Sequence, residues 1–167
     1  ACAMDAHEID DLVRHQVRAI EVDGALSEIL LVLDERTEGF ARPYAEPDLA
    51  LLIEKADRLQ NEGWVDRIVH SSSGDPGEAL NERWFGLKRA DRHAGNGAQL
   101  AATFRGFEAC RTRYVLHLDS DLMIGRVNSE RSTLANMLKA MTLDACAVTA
   151  AFPISRSAQV AWSLSCN

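Results

Sequence analysis

The spacing of apolar residues along the chain predicts helices and strands in alternation. Over residues 5–22 the apolar side chains recur at helical spacing, and Asp5 and Glu8 are placed like a capping box. The run EILLVLDE at residues 28–35 is short, rich in branched apolar side chains and bounded by charge. A run of this kind is typical of a buried strand.

The same alternation continues in the next stretch of the chain. Pro47 is well placed for the first turn of a second helix, and Gly63 is placed to end it. The buried face of this helix is expected to carry Leu49, Leu52, Ile53, Ala56 and Leu59. Residues 65–72, VDRIVHSS, predict a second strand.

Beyond this strand the pattern is less regular. Residues 78–97 show no clean period and are expected to form a loop with short helical pieces, with Trp84 and Phe85 in the core. A helix is predicted over residues 98–110, where Leu100, Phe104 and Phe107 are expected to face inward. The remaining predicted elements are a strand at 114–119, a helix at 134–141 and a strand at 145–152, followed by an unassigned tail.

The order of these elements predicts an α/β fold. Strands that alternate with helices favour a mostly parallel sheet with helices on both faces. A length of 167 residues suits one domain with a real core, so residues 1–167 are expected to form a single domain. In open sheets of this kind, ligands bind at the carboxyl ends of the strands.

Carboxylates stand at the ends of two predicted strands. The apolar run YVLHLD leads into Asp119 and Asp121, and EILLVLDE ends in Asp34 and Glu35. Neighbouring carboxylates repel unless a cation or a proton lies between them. Oxygen ligands of this kind suit Mg²⁺ or Mn²⁺, which commonly also hold the phosphates of a substrate. An isolated Asp-x-Asp pair is equally compatible with two solvated carboxylates in a loop.

Composition and charge restrict the classes of partner. The net charge of −7 argues against a general nucleic-acid binder, which usually carries a basic face. The four cysteines lack the close spacing of a zinc or redox motif, which predicts thiols in a reducing, cytoplasmic compartment. No apolar run approaches the length of a membrane span, and no signal peptide is recognised at the start of the sequence.

Four stretches together give the chain a resemblance to the glycosyltransferase A-type (GT-A) fold, and most closely to the large inverting glycosyltransferase family 2. They are the helix at 5–22, EILLVLDE, the segment HAGNGAQLAATFRGFEAC, and YVLHLDSDLMI. The resemblance covers about residues 1–152, and it depends on the order and spacing of the stretches more than on any one motif. It implies a single nucleotide-diphospho-sugar-binding domain, expected to be truncated at both ends.

The resemblance also implies an activity and a set of site residues. The activity is metal-dependent transfer of a sugar from a nucleotide diphosphate donor, expected to be a UDP-sugar, to an acceptor that the sequence does not specify. Asp34 would read the nucleotide base, and Asp121, with Asp119 close by, would hold Mn²⁺ or Mg²⁺ against the diphosphate. The expected donor-binding residues are Asp34, Glu35, His93, Gly95, Asn96 and Asp119.

The chain departs from the family pattern at three points. The family's opening strand is mostly missing, and ACAM at residues 1–4 corresponds to its last turn. An Arg-Asn pair common in the family appears here as Thr103 and Phe104. No counterpart of the family's catalytic base occurs in the 46 residues after Asp121.

Two other functions fit parts of the same pattern. A phosphohydrolase of the haloacid-dehalogenase type also has an apolar strand that ends in Asp-x-Asp, with the first aspartate as nucleophile. That motif normally opens its domain, whereas here it begins at Asp119. A non-catalytic nucleotide-sugar-binding or scaffold module would explain the missing strand and the missing base.

Overall fold

The computed structural model describes the chain as helices, short strands and their connections. The described residues are 1, 6–21, 26–35, 48–71, 77–91, 100–120, 122–124, 132–140, 145–147 and 164–165. The chain divides into two compact units, one formed by residues 1–17 and 26–124 and the other by residues 18–25 and 125–167. Each unit is described by itself.

The described elements follow the predicted alternation of helix and strand up to residue 71, after which three helices precede the next described strand. They are α1 (Ile9–Glu21), β1 (Leu30–Asp34), α2 (Leu49–Asn61), β2 (Arg67–Ser71), α3 (Gly77–Phe85), α4 (Leu100–Ala109), α5 (Thr133–Ala140), β3 (Ala145–Ala147) and β4 (Leu164–Ser165). The chain is therefore of mixed helix and strand, as predicted for an α/β fold. None of the helices that the structure describes is long and apolar enough to span a membrane.

A parallel pair of strands lies at the centre of the first unit. β1 and β2 pair in parallel with Val32 opposite Val69 and Asp34 opposite Ser71. Ala1 lies along the other edge of β1, where its nitrogen donates to Val32 O at 2.8 Å and its carbonyl accepts from Asp34 N at 2.7 Å. This is the hydrogen-bond pattern of a parallel ladder, so Ala1 occupies a strand position beside β1.

Helices cover both faces of this strand pair. Leu31 and Leu33 of β1 pack in one buried cluster with residues of α1 and α2, which are Ile9, Val13, Val17, Leu52, Ala56 and Leu59. Ion pairs between Arg14 and Glu62 and between Arg58 and Asp10 join the two helices at the surface. The opposite face of the sheet, which carries Val32, packs against α4.

The ends of α2 follow from local sequence chemistry. The side chain of Asp48 accepts from Leu51 N at 2.9 Å and caps the first turn. Gly63 has a φ of 79°, a left-handed conformation that glycine adopts without steric cost, and the chain leaves the helix there as predicted.

The face of α4 that is buried in the structure is not the face predicted from the sequence. Its buried residues are Ala101, Ala102 and Gly106, whereas Leu100, Phe104 and Phe107 are only partly buried. Gly106 explains the difference, because a Cβ placed on it would lie 2.8 Å from Val32 Cγ2. Small side chains let the helix approach the sheet closely, and the large apolar ones are left at its flanks.

The large side chains form an aromatic cluster on the outer side of α3 and α4. The rings of Phe104 and Trp84 have centroids 4.6 Å apart, and those of Phe104 and Phe85 are 4.9 Å apart. Trp84 and Phe85 are exposed. The prediction that these two residues lie in the core is therefore wrong.

The predicted strand at residues 114–119 is absent from the described structure. This segment has no regular secondary structure, and Tyr114 and Val115 are exposed. An apolar run becomes a strand only when its backbone N–H and C=O groups pair in a ladder. No backbone ladder joins residues 114–119 to another described segment.

The second unit contains a helix and a small antiparallel pair. Ser132 Oγ accepts from Ala135 N at 3.0 Å and caps α5. β3 pairs antiparallel with β4, with Ala145 opposite Ser165. The predicted strand at 145–152 is therefore confirmed over three residues, and its partner lies in the tail that the sequence left unassigned.

Candidate functional site

Polar side chains end both strands of the parallel pair. Asp34 is the last residue of β1 and Ser71 is the last residue of β2, and the two are partners in the ladder. Both are buried, with 4% of Asp34 and 1% of Ser71 exposed. The carboxyl edge of the sheet therefore presents a carboxylate and a hydroxyl side by side beneath the surface.

The hydroxyl of Ser71 is the unusual group of this pair. Its Oγ has no hydrogen-bond partner among the described residues. A buried polar group without a partner costs about 1–3 kcal/mol, and such groups are uncommon in native proteins. A ligand that reached this edge would find a hydroxyl free to donate and to accept.

Strand geometry separates Asp34 from its neighbour Glu35. Successive side chains along a strand point to opposite faces, so Asp34 and Ser71 lie on the face that carries Val32 and α4. Glu35 belongs to the opposite face, where its Oε1 lies 2.6 Å from His70 Nδ1. The two carboxylates predicted to bind the donor together are thus divided between the two faces.

The direction of α4 brings its N-terminus towards the carboxyl edge. Arg67, at the start of β2, donates through Nη2 to Ala109 O at 2.7 Å, so the helix ends at the amino edge of the sheet. From there α4 runs past Val32, which faces Gly106. The helix has ten residues and spans about 14 Å at about 1.5 Å per residue. β2 has five residues and spans about 13 Å at about 3.3 Å per residue.

The N-terminus of α4 therefore lies at the level of Asp34 and Ser71. Free backbone N–H groups and the helix dipole make such an end attractive to anions. The segment HAGNG leads into this end, and its predicted site residues His93, Gly95 and Asn96 lie outside the described residues. Just before it, Asn81 donates through Nδ2 to the carbonyls of Arg89 and Asp91, both at 2.7 Å.

The segment at Asp119 forms a turn rather than the end of a strand. Leu122 N donates to Asp119 O at 3.1 Å, a backbone contact typical of a turn. The side chain of Asp119 is 83% exposed, and its Oδ1 lies 3.5 Å from His117 Nε2. Asp121, the predicted metal ligand, lies outside the described residues.

The expected cation has one described ligand candidate. The exposed carboxylate of Asp119 offers hard oxygen donors of the kind that Mg²⁺ and Mn²⁺ accept. No group of three His, Cys, Asp or Glu side chains arranged to hold a metal occurs within the described part of the chain. Of the site residues predicted from the sequence, the structure thus describes Asp34, Glu35 and Asp119.

Two polar residues near these positions escaped the sequence analysis. Ser71 could have been found from the register, because it ends the second strand as Asp34 ends the first. Gln16 lies on the buried side of α1, and its side chain contacts the Asp119 turn. A polar residue within an apolar helical face is the signal that could have identified it.

The whole chain was compared with protein families, curated proteins and solved structures. No protein-family model, curated protein or solved structure matches this chain.

Proposed function

We propose that this chain binds a nucleotide diphosphate-sugar together with Mn²⁺ or Mg²⁺, and that it forms the donor-binding part of a metal-dependent glycosyltransferase of the GT-A type. The observation that carries the proposal is the carboxyl edge of the first unit. There Asp34, Ser71 and the N-terminus of α4 come to the same level of one sheet face.

Each group at this edge suits a different part of such a donor. The Asp34 carboxylate can accept hydrogen bonds from a base N–H or from ribose hydroxyls. Ser71 Oγ can serve the same polar moiety, which would give its hydroxyl the partner it lacks among the described residues. Glu35 is assigned no direct contact, because it lies on the other face with His70.

The diphosphate is assigned to the N-terminus of α4 and to the Asp-x-Asp motif. Backbone N–H groups at a helix N-terminus favour phosphate oxygens, and the glycines of HAGNG allow close backbone approach. Asp119 and Asp121 would hold the divalent cation. That cation would supply Lewis-acid stabilisation of the negative charge that develops on the departing diphosphate.

The net charge of the chain supports a role for the cation. A protein of net charge −7 repels a free diphosphate at long range. A divalent cation bridges acidic protein and acidic ligand and removes this penalty. The proposal also includes the mostly parallel sheet of the GT-A fold. The two-stranded parallel sheet of the first unit would be one part of that larger sheet.

Calorimetric titration with UDP in the presence of Mn²⁺ tests the donor edge. Asp34→Asn is expected to weaken binding about 10- to 100-fold, because a hydrogen bond to a charged group contributes about 1.5–3 kcal/mol. His70→Asn is the matched control, since it lies on the same strand pair but faces the other side, and it is expected to bind within about twofold of the original chain. Equal affinity in all three proteins would contradict the proposal, as would the absence of binding in the original chain.

A further inference from the structure

Gln16 is a buried amide on a helix face that is otherwise apolar. It lies on α1 between Val13 and Val17, which belong to the buried cluster of the first unit. Only 8% of Gln16 is exposed. A buried side-chain amide is costly unless its polar atoms are hydrogen-bonded, so its partners indicate why it is there.

The partners of Gln16 are the carbonyl groups of the Asp-x-Asp turn. Its Nε2 lies 2.8 Å from Asp119 O and 2.8 Å from Leu122 O, and 3.4 Å from Ser120 O. Because all three neighbours are acceptors, the atom facing them is the NH₂ group, whose two hydrogens match the two shorter contacts. One side chain thus holds both ends of the turn.

The neighbouring residue on α1 extends the same contact. His15 Nε2 lies 3.1 Å from the backbone of Ile124, two residues beyond the end of the turn. The turn also has its own bond, from Leu122 N to Asp119 O. The described backbone at residues 119, 120, 122 and 124 is therefore held to α1 by side-chain contacts.

This arrangement has a consequence for the carboxylates. The carbonyls of the turn point to α1, while the side chain of Asp119 is exposed to solvent. A divalent cation binds more tightly where its ligands are held in place before it arrives, and supporting hydrogen bonds around the ligands supply that order. Gln16 supplies it from the backbone side.

We propose that Gln16 is a positioning residue for the cation site of the Asp-x-Asp motif. It acts by fixing the backbone at Asp119, Ser120 and Leu122. The inference rests on the proposed function for its cation, but the contact between Gln16 and the turn does not depend on that function.

Gln16→Met tests the inference, because methionine keeps the length of the side chain and removes the donor. Gln60→Met is the matched control, since Gln60 is an exposed glutamine on α2 whose Nε2 donates to Asp66 O at 3.0 Å. Backbone hydrogen exchange is measured without ligand. We expect the amides at residues 120–124 to exchange about tenfold faster in Gln16→Met, with residues 67–71 unchanged in both variants.

The second measurement is the Mn²⁺ dependence of UDP binding. In Gln16→Met the Mn²⁺ concentration for half-maximal UDP binding is expected to rise about tenfold, with UDP affinity at saturating Mn²⁺ unchanged. A variant that merely lost stability would shift both quantities or neither. Gln60→Met is expected to leave both as they are.

The outcomes separate this inference from the proposed function. Unchanged exchange at residues 120–124, or an unchanged Mn²⁺ dependence in a folded Gln16→Met protein, would overturn the positioning role. Absence of Mn²⁺-dependent UDP binding in the original chain would overturn the proposed function and the cation role of Gln16 with it. The exchange measurement would then still decide whether Gln16 holds the turn.

Discussion

At the scale of single residues, buried polar side chains distinguish the first unit from a purely apolar core. Gln16, Asn81 and Ser71 are all buried. Gln16 and Asn81 each donate to backbone carbonyls next to a segment of the proposed site. Ser71 Oγ lacks a partner among the described residues. This contrast makes Ser71 the residue at which stability and binding are expected to conflict.

Ser71→Ala removes the buried hydroxyl and leaves the strand otherwise intact. Because an unpartnered buried hydroxyl costs about 1–3 kcal/mol, the free energy of unfolding in urea is expected to stay the same or to rise. UDP affinity measured by calorimetry is expected to fall in the same variant.

Ser132→Ala provides the contrasting case for this prediction. Its hydroxyl accepts from Ala135 N and caps α5, so its removal is expected to destabilise by about 1 kcal/mol. Clear destabilisation by Ser71→Ala with unchanged UDP affinity would assign the hydroxyl of Ser71 to the fold alone.

Cys110 provides a second prediction at this scale. Burial raises the pKa of its thiol by desolvating the thiolate, the charge of Glu28 adds to the rise, and Arg67 opposes it. The thiol also donates to Gly106 O at 3.2 Å. Since the thiolate is the reactive form, alkylation of Cys110 by iodoacetamide at pH 8 is expected to be slower in the folded chain than in the chain unfolded in urea.

The pH dependence of this alkylation shows the direction in which the pKa of Cys110 is shifted. A raised pKa means that the alkylation rate of the Cys110 peptide, followed by mass spectrometry, reaches its half-maximum at higher pH in the folded chain. Glu28→Gln removes a negative charge and is expected to move that midpoint down. A midpoint at or below that of the unfolded chain would contradict the assignment.

At the scale of elements, the close contact between α4 and β1 determines which face of the helix is buried. The apolar spacing of Leu100, Phe104 and Phe107 predicted one face, and the structure uses the face of Ala101, Ala102 and Gly106. The spacing of apolar residues identifies the helix correctly, but it assigns the most hydrophobic side chains to the buried face. It does not show that a glycine permits the backbone to approach a neighbouring strand.

Gly106→Ala tests this contact. Alanine favours a helix by up to about 1 kcal/mol over glycine, but its Cβ would lie 2.8 Å from Val32 Cγ2. Overpacking of this kind costs about 1–3 kcal/mol. The expected result is a net loss of about 1 kcal/mol in the free energy of unfolding, measured by urea denaturation.

The Val32→Ala background is the control for this prediction. It removes the Cγ2 atom that the new methyl group would meet, so Gly106→Ala is expected to become neutral or stabilising there. Such a change of sign is the coupling that a double-mutant cycle measures between residues in contact. The same destabilisation in both backgrounds would rule out the steric explanation.

How far the sequence predicts the fold differs between elements for physical reasons. β1 and β2 were predicted as short apolar runs, and in the structure they pair with each other. Residues 114–119 are equally apolar, but their backbone forms no strand ladder with any described segment. Whether an apolar run becomes a strand depends on its neighbour in space, which local pattern does not contain.

The same distinction applies to the candidate site. Asp34 was identified because a carboxylate at the end of a buried strand can be recognised from the sequence alone. The separation of Glu35 to the other face follows from strand alternation, and its contact with His70 follows from the pairing of β1 with β2. Gln16 reaches a turn more than 100 positions away in the chain, so spacing alone could not identify its partner.

At the scale of the whole molecule, the chain is acidic and contains two compact units. The first unit holds the proposed donor edge at Asp34 and Ser71, and also the turn that begins at Asp119. An acidic protein that binds a diphosphate requires compensating positive charge. The proposed function therefore depends on a divalent cation held by the Asp-x-Asp motif.

Titration of the chain with UDP by calorimetry, with and without Mn²⁺ and beside Asp121→Ala, tests this dependence on the cation. Asp57→Ala, on the exposed surface of α2, is the control because it changes the net charge by the same amount. We expect binding that requires Mn²⁺, is lost in Asp121→Ala and is retained in Asp57→Ala. No UDP binding in either metal state, or binding that neither Mn²⁺ nor Asp121→Ala changes, would contradict it.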